Sequence, residues 1–283
     1  MLIFDTVAKL REHLTECRMR GLSIGLVPTM GALHEGHLAL AGRCKAENNV
    51  AVCSIYVNPT QFNNPEDLAK YPRTPGTDLR MLQEVACDVV FMPTDAEMYP
   101  KPAALKMDFG NLETVMEGKF RPGHFNGVGV VVSKLLHMVQ PDAAYFGQKD
   151  LQQCLVIKRL VQDLSFPVRL VIHPTVRETD GLAMSSRNQR LTPAQRAAAP
   201  LLHQALGMAR EILFNHGTTE LARKTVERHL SQSEELRLEY FEIAQADDLS
   251  PLPDGTVEPP FALCIAAYAG SVRLIDNLLV VGR

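Results

Sequence analysis

Long apolar runs are missing from this chain. No stretch of its 283 residues approaches the roughly 18–20 uncharged apolar residues of a membrane span, so no transmembrane helix is predicted. The start, MLIFDTVAKLREHL, mixes charge among its apolar residues from Asp5 onward, unlike a signal peptide. There is no CxxC pair either. The six cysteines (Cys17, Cys44, Cys53, Cys87, Cys154, Cys264) are scattered through apolar or helical surroundings, which suits free buried thiols. Excess charge of one sign is also lacking: 29 basic against 32 acidic side chains leave a formal charge of −3. That gives no electrostatic reason to expect nucleic-acid or membrane binding. Internal repeats and low-complexity tracts are absent. These absences predict a cytoplasmic enzyme.

What is present is an ordinary globular composition, 46% hydrophobic and 22% charged, long enough for one large or two medium domains. The most informative stretch is GLSIGLVPTMGALHEGH, Gly21 to His37. The apolar run Leu22 to Val27, ended by Pro28, reads as a buried strand. A turn with Gly31 follows, then His34 and His37 at the start of a helix through Leu38, Leu40 and Ala41. Strand, glycine-bearing turn and helix start aim free backbone N–H groups and a positive dipole end at one place, a natural anion site. Two imidazoles there suggest a nucleotide phosphate chain.

Similar units recur. Leu2–Phe4 reads as a first strand, followed by a helix carrying Val7, Leu10 and Leu14. NVAVCSIYVNP is a buried strand, Asn64-Pro65-Glu66-Asp67 a helix start, and a helix through Leu79 and Val85 leads to the strand CDVVFMP. KFRPGHFNGVG, with Arg121 and His124, reads as a polar loop before a helix or buried segment. Ala143 to Phe146 is a short strand whose turn opens at Gly147, and VRLVIHPTV is the next strand. This alternation predicts an α/β, Rossmann-like, doubly wound parallel sheet over residues 1–175, with ligands at the carboxyl ends of its strands. Residues 176–283 read differently. A polar segment with Gly181 precedes a capping box at Thr192-Pro193-Ala194-Gln195 and a helix reaching Phe214. A helix over Leu221–Leu230, an alternating strand and a strand pair around Gly270 then make a smaller α+β C-terminal domain.

Each candidate group has a plain alternative. The histidines could merely cap their helix. As metal ligands they lack an evident third partner, and a metalloprotease helix needs HExxH rather than HEGH. In Gly147-Gln148-Lys149-Asp150 the lysine can reach a phosphate as a point charge, unless this is an ordinary surface turn. Met184-Ser185-Ser186-Arg187 offers hydroxyls, amides and a guanidinium for a triphosphate, although serine-rich linkers are common. Asn58, Gln61, Gln152 and Gln153 are amides able to orient a carboxylate or hydroxyl without adding charge.

Taken together, VPTMGALHEGH, YVNPTQF, YPRT, RPGHFNGV, GQKDLQQ, MSSRN and RLIDN resemble the pantothenate synthetase (pantoate–β-alanine ligase) family in order and spacing. That family lies within the HxGH nucleotidyltransferase superfamily. The resemblance implies a reaction in pantothenate biosynthesis in two steps: ATP and D-pantoate give pantoyl adenylate and pyrophosphate, and β-alanine then displaces AMP. It also implies that Met30, Gly31, Ala32, Leu33, His34, Glu35, Gly36 and His37 form a first ATP segment, with His37 as proton donor. Gly147, Gln148, Lys149 and Asp150 would be a second segment, Val176 an adenine-side contact, and Met184, Ser185, Ser186 and Arg187 a third. Gln61 and Gln153 match pantoate-binding glutamines, with Gln61 also assigned to β-alanine. Lys149, Ser185, Ser186, Arg187 and Mg²⁺ accompanying ATP would stabilise charge, and the C-terminal domain would act as a lid.

The resemblance further implies a homodimer. Two departures stand out: Gln148 replaces a frequent glutamate, and Thr77 precedes Asp78 where some members carry an acidic pair near the metal. No protein metal ligand is therefore assigned. The alternatives are another adenylate-forming or nucleotidyltransferase enzyme of the superfamily, or a non-catalytic nucleotide-binding protein.

Overall fold

The computed structural model describes residues 1–63 and 65–282, with the side chain of Asp67 also outside the description. The chain forms two compact units. One comprises Met1–Glu113, Glu117–Gln148 and Gln153–Pro174; the other comprises Thr114–Met116, Lys149–Gln152 and the chain from Thr175 on.

Among the described residues the first unit holds a six-stranded parallel sheet. Its strands are β1 (Leu2–Phe4), β2 (Ile24–Thr29), β3 (Val50–Ile55), β4 (Val89–Phe91), β5 (Ala143–Gly147) and β6 (Arg169–His173). Their order is β1-β4-β3-β2-β5-β6, and every pairing is parallel. β3 is buried along nearly its whole length, as a strand covered on both faces must be. The helix Glu35–Glu47 turns Leu38, Leu40, Ala41 and Cys44 inward, and Leu40, Ala41 and Cys44 join Val27, Cys53, Val90 and Tyr145 in one core. Strand order reverses between β2 and β5. Ligands of doubly wound sheets bind outside the carboxyl ends at such a switch point, which here means the segments after Thr29 and Gly147.

The cysteine reading holds: all six are free and buried. Burial pushes the Cys44 thiol up to about 12 and the Cys87 thiol up to about 11, so both stay protonated.

Three local expectations change. β2 runs on through Pro28 to Thr29 rather than stopping at the proline. On β2 only Gly25 and Leu26 pair with β5, so the missing Pro28 N–H falls beyond that ladder. The expected polar loop around Arg121 and His124 is largely helical, as Met116–Phe120 and then His124–Val139, because the buried stripe that includes Phe125, Val128 and Val132 begins earlier than its polar flank suggests. The helix start expected at Asn64 begins outside the described residues; Pro65–Lys70 is helical.

In the second unit β7 (Leu236–Gln245), β8 (Phe261–Ala269) and β9 (Val272–Val280) form an antiparallel sheet in that order. Leu202, Leu206 and Val226 of the helices Leu201–Phe214 and Thr219–Leu230 pack with Phe241, Phe261, Leu263 and Ile265 of the sheet. The capping box at Thr192 and Gln195 forms as expected. The helix after it is two helices, Pro193–Ala198 and Leu201–Phe214, since Pro200 has no N–H to continue the first.

Candidate functional site

The turn after β2 is held from below by one carboxylate. Asp78, on the helix Pro75–Glu84, is 1% exposed. Its Oδ2 accepts the Ala32 amide at 3.1 Å, and its Oδ1 accepts the Leu33 amide at 2.9 Å and the Thr74 hydroxyl at 3.1 Å. The Gly31 amide goes to Thr29 Oγ1 at 3.3 Å. The next amides close on His34: Gly36 N donates to its Nδ1 at 3.1 Å, while His37 N and Leu38 N donate to its carbonyl at 2.8 and 3.1 Å.

These bonds take up the amides of Gly31, Ala32, Leu33, Gly36, His37 and Leu38, so those six are not offered to an anion as the strand–turn–helix pattern implied. The positive helix end and the imidazoles remain as the anion-attracting groups. His34 does cap the helix, as the plain reading held. An accepting Nδ1 is unprotonated, so the His34 proton sits on Nε2. The His37 ring lies against it, with centroids 4.1 Å apart and planes at 43°. Asp78, buried and already accepting three hydrogen bonds, fits a turn anchor.

Gln61 is equally well supported. Its Nε2 donates to Met30 Sδ at 2.8 Å, and its Oε1 accepts from Asn58 Nδ2 at 3.3 Å. Asn58 Nδ2 also reaches the Gly127 carbonyl, and Asn58 Oδ1 accepts the Thr60 and Tyr99 hydroxyls. His124 fixes the main chain: its Nδ1 lies 2.8 Å from the Gln61 carbonyl, which can only accept, so Nδ1 carries the proton. Nε2 then accepts from Arg121 at 3.3 Å. The RPGHFNGV motif is thus the scaffold of Gln61. Gly127 permits the approach, because a Cβ there would stand 2.4 Å from the Thr60 carbonyl oxygen and 2.8 Å from Gln61 Cα. Gly127→Ala is expected to cost about 1–3 kcal/mol by overpacking, with urea unfolding as the check. An unchanged midpoint would contradict the packing argument.

In the second unit Lys149, Ser185 and Arg187 line one small pocket with Asn188, Arg273 and Asp276. Ser185 Oγ caps the turn Ser186–Arg190 by accepting Arg187 N at 3.3 Å. Asn188 Nδ2 ties that turn to the Ala183 carbonyl at 3.0 Å. Ser186 is buried, and neither it nor Met184 lines the cavity. Val176 accepts the Met184 amide at 3.0 Å, closing the hairpin that leads into the turn. Gln153 is half-buried; its neighbour Gln152 is buried and donates to the Val115 carbonyl. Asp78, His124, Asn277 and Arg177 carry no role in the reading from sequence alone, although consecutive buried polar residues in RLIDN were a usable signal.

An open parallel sheet with its switch point between β2 and β5, and a helix that starts at HEGH directly after β2, define an α/β protein of the doubly wound class. The family model described as pantoate-beta-alanine ligase matches residues 2–279, so the chain belongs to that family. It is 46% identical to a pantothenate synthetase of Cytophaga hutchinsonii over 99% of this chain and 100% of that one. A pantothenate synthetase of Porphyromonas gingivalis is 49% identical, with 98% and 99% covered. Among solved structures, pantothenate synthetase from Thermus thermophilus is similar at a TM-score of 0.93, with 44% identity over 99% of this chain and 100% of that chain. The pantoate-beta-alanine ligase of Francisella tularensis, complexed with beta-gamma ATP and beta-alanine, reaches a TM-score of 0.82 at 34% identity over 99% and 97%.

Proposed function

We propose that this chain is an ATP-dependent ligase that joins pantoate to β-alanine, forming pantothenate, AMP and pyrophosphate. The observation that carries the reading is whole-length membership of the pantoate–β-alanine ligase family, with the HEGH helix start, Gln61 and the Lys149–Ser185–Arg187 cavity all present. In the proposed first step a pantoate carboxylate oxygen attacks the α-phosphorus of ATP. The bond to the bridging oxygen breaks, pyrophosphate leaves, and pantoyl adenylate forms. In the second step the amine of β-alanine attacks the acyl carbon, loses a proton, and AMP departs.

Charge builds on phosphate oxygens and the departing pyrophosphate. Lys149, Ser185 and Arg187 supply fixed donors for it, with Ser186 behind them, while His34 and His37 serve the phosphates from their helix start. His37 is assigned the proton donor. Mg²⁺ enters as part of the ATP substrate, keeping several waters. Among the described residues no group of three or more His, Cys, Asp or Glu side chains gathers to hold a metal. The adenylate is prone to hydrolysis, and the smaller unit is assigned the lid that excludes water. A homodimer and a cytoplasmic location complete the reading, both resting on family membership. Among the described residues no helix is long and apolar enough to cross a membrane.

The test is pantoate-dependent exchange of labelled pyrophosphate into ATP, followed by β-alanine-dependent release of pantothenate. Exchange that ignores pantoate would overturn the assignment. The neutral amides around the carboxylate lead to a sharper expectation. Gln61→Glu places like charge beside pantoate and should raise its KM about tenfold, a cost of about 1.4 kcal/mol. An unchanged KM would remove Gln61 from the pantoate site.

A further inference from the structure

β9 carries two consecutive buried polar residues, Asp276 and Asn277, each 4% exposed. Successive strand residues face opposite sides, and these two reach different parts of the phosphate-side cluster. Asn277 Nδ2 donates to the main-chain carbonyl of Lys149 at 2.8 Å. Asp276 takes a two-pronged bond from Arg177, Nη1 to Oδ2 at 2.7 Å and Nη2 to Oδ1 at 3.0 Å. Its Oδ1 also accepts the Asn277 amide at 2.8 Å, and His203 Nδ1 lies 3.7 Å from Oδ2.

Arg177 does more than neutralise that carboxylate. It donates to the Gly181 carbonyl at 3.0 Å, across the hairpin in which Arg177 pairs with Ala183, and to the Asn277 carbonyl at 3.4 Å. The hairpin tip is tight. Gly181 has φ +93°, and a Cβ there would stand 2.8 Å from the His203 ring, so a residue without a side chain is required. Ser185–Arg187 leaves the hairpin directly. A single dipeptide of β9 therefore holds the backbone of Lys149 with one side chain and the base of the Ser185–Arg187 segment with the other.

We propose that Asp276 and Asn277 are positioning residues that set the spacing between Lys149 and Ser185–Arg187, so that both meet one phosphate chain. The inference rests on the reading of those groups as phosphate-binding. Neither residue needs to touch ATP. Their effect is geometric, and displacement of a reacting arrangement by about 1 Å can lower rate up to about 100-fold.

The test uses pantoate-dependent pyrophosphate exchange by the full chain. Asn277→Ala should lower kcat about tenfold with the pantoate KM within about twofold, and Asn277→Gln, which keeps the donor, should recover part of the loss. In a Lys149→Ala background the same Asn277→Ala change should alter kcat less than about twofold, because the group it positions is gone. Equal losses in both backgrounds, or no loss in either, would overturn the proposal. If Asn277→Ala does not fold, Arg177→Lys tests the other arm: its loss of kcat should vanish in an Arg187→Ala background, and persistence there overturns it. Should Lys149→Ala itself leave exchange untouched, the phosphate-binding reading falls and the positioning proposal with it. Should Lys149→Ala cripple exchange while Asn277→Ala does not, positioning alone fails.

Discussion

Asp78→Ala is expected to be among the most damaging single changes in the first unit, costing about 2–5 kcal/mol of stability. The size follows from what it orphans. The amides of Ala32 and Leu33 and the Thr74 hydroxyl all donate to this carboxylate, and a buried donor left unmet costs about 1–3 kcal/mol. The hydroxyl can rotate to another acceptor; the amides cannot. Asp78→Asn should cost less, since its one carbonyl oxygen still accepts, but its NH₂ then faces a donor. Because the turn leads directly into His34, loss of exchange activity should accompany the loss of stability. Urea unfolding and pantoate-dependent exchange measure the two. A midpoint shift equivalent to less than about 0.5 kcal/mol for Asp78→Ala, the usual range for an inert surface site, would mean that the turn holds without its anchor.

Lys149→Ala should have the opposite signature: large in rate, small in stability. The ammonium stands 3.5 Å from Asp150, which is about half exposed, and such pairs contribute about 0–1 kcal/mol. Its removal should therefore leave unfolding nearly unchanged. In the proposed reaction the same charge would face phosphate oxygens whose negative charge grows on the way to the transition state. Removing one preorganised donor of this kind lowers kcat by about 10²–10³, or about 2.7–4 kcal/mol. Lys149→Arg should restore only part of the rate, because a planar guanidinium does not replace a compact point charge. A kcat within about threefold of the parent chain for Lys149→Ala, well short of that range, would take Lys149 out of the chemistry.

The contrast between Asp78 and Lys149 separates two kinds of site residue. Lys149 was legible from its surroundings in sequence: a cation after a short apolar strand and a glycine, at the start of a helix. The two histidines, the Ser185–Arg187 segment and Gln61 were legible in the same way, as reactive or polar side chains at the ends of regular elements. Asp78 was visible as an acid following YPRT, but the turn amides it accepts lie 45 and 46 positions away, so nothing local says that it holds the Gly31–Leu33 turn. His124 and Arg121 read as loop residues because their polar neighbours hide the start of a buried helix stripe. Only the contact of His124 across 63 positions with the Gln61 carbonyl, backed by Arg121 at its other ring nitrogen, gives them a task.

By itself the sequence determined the α/β class, the parallel sheet, the smaller α+β portion and the segments after β2 and β5, because hydrophobic periodicity and turn chemistry act over a few neighbouring residues. The tertiary structure decided where the backbone donors of the turn after β2 go, why Gly127 has no side chain, and what the polar pair in β9 bonds to. Those are matters of contact between residues far apart in the chain. A hydrogen bond is made or lost over tenths of an ångström, and that distance is set only when the elements have packed.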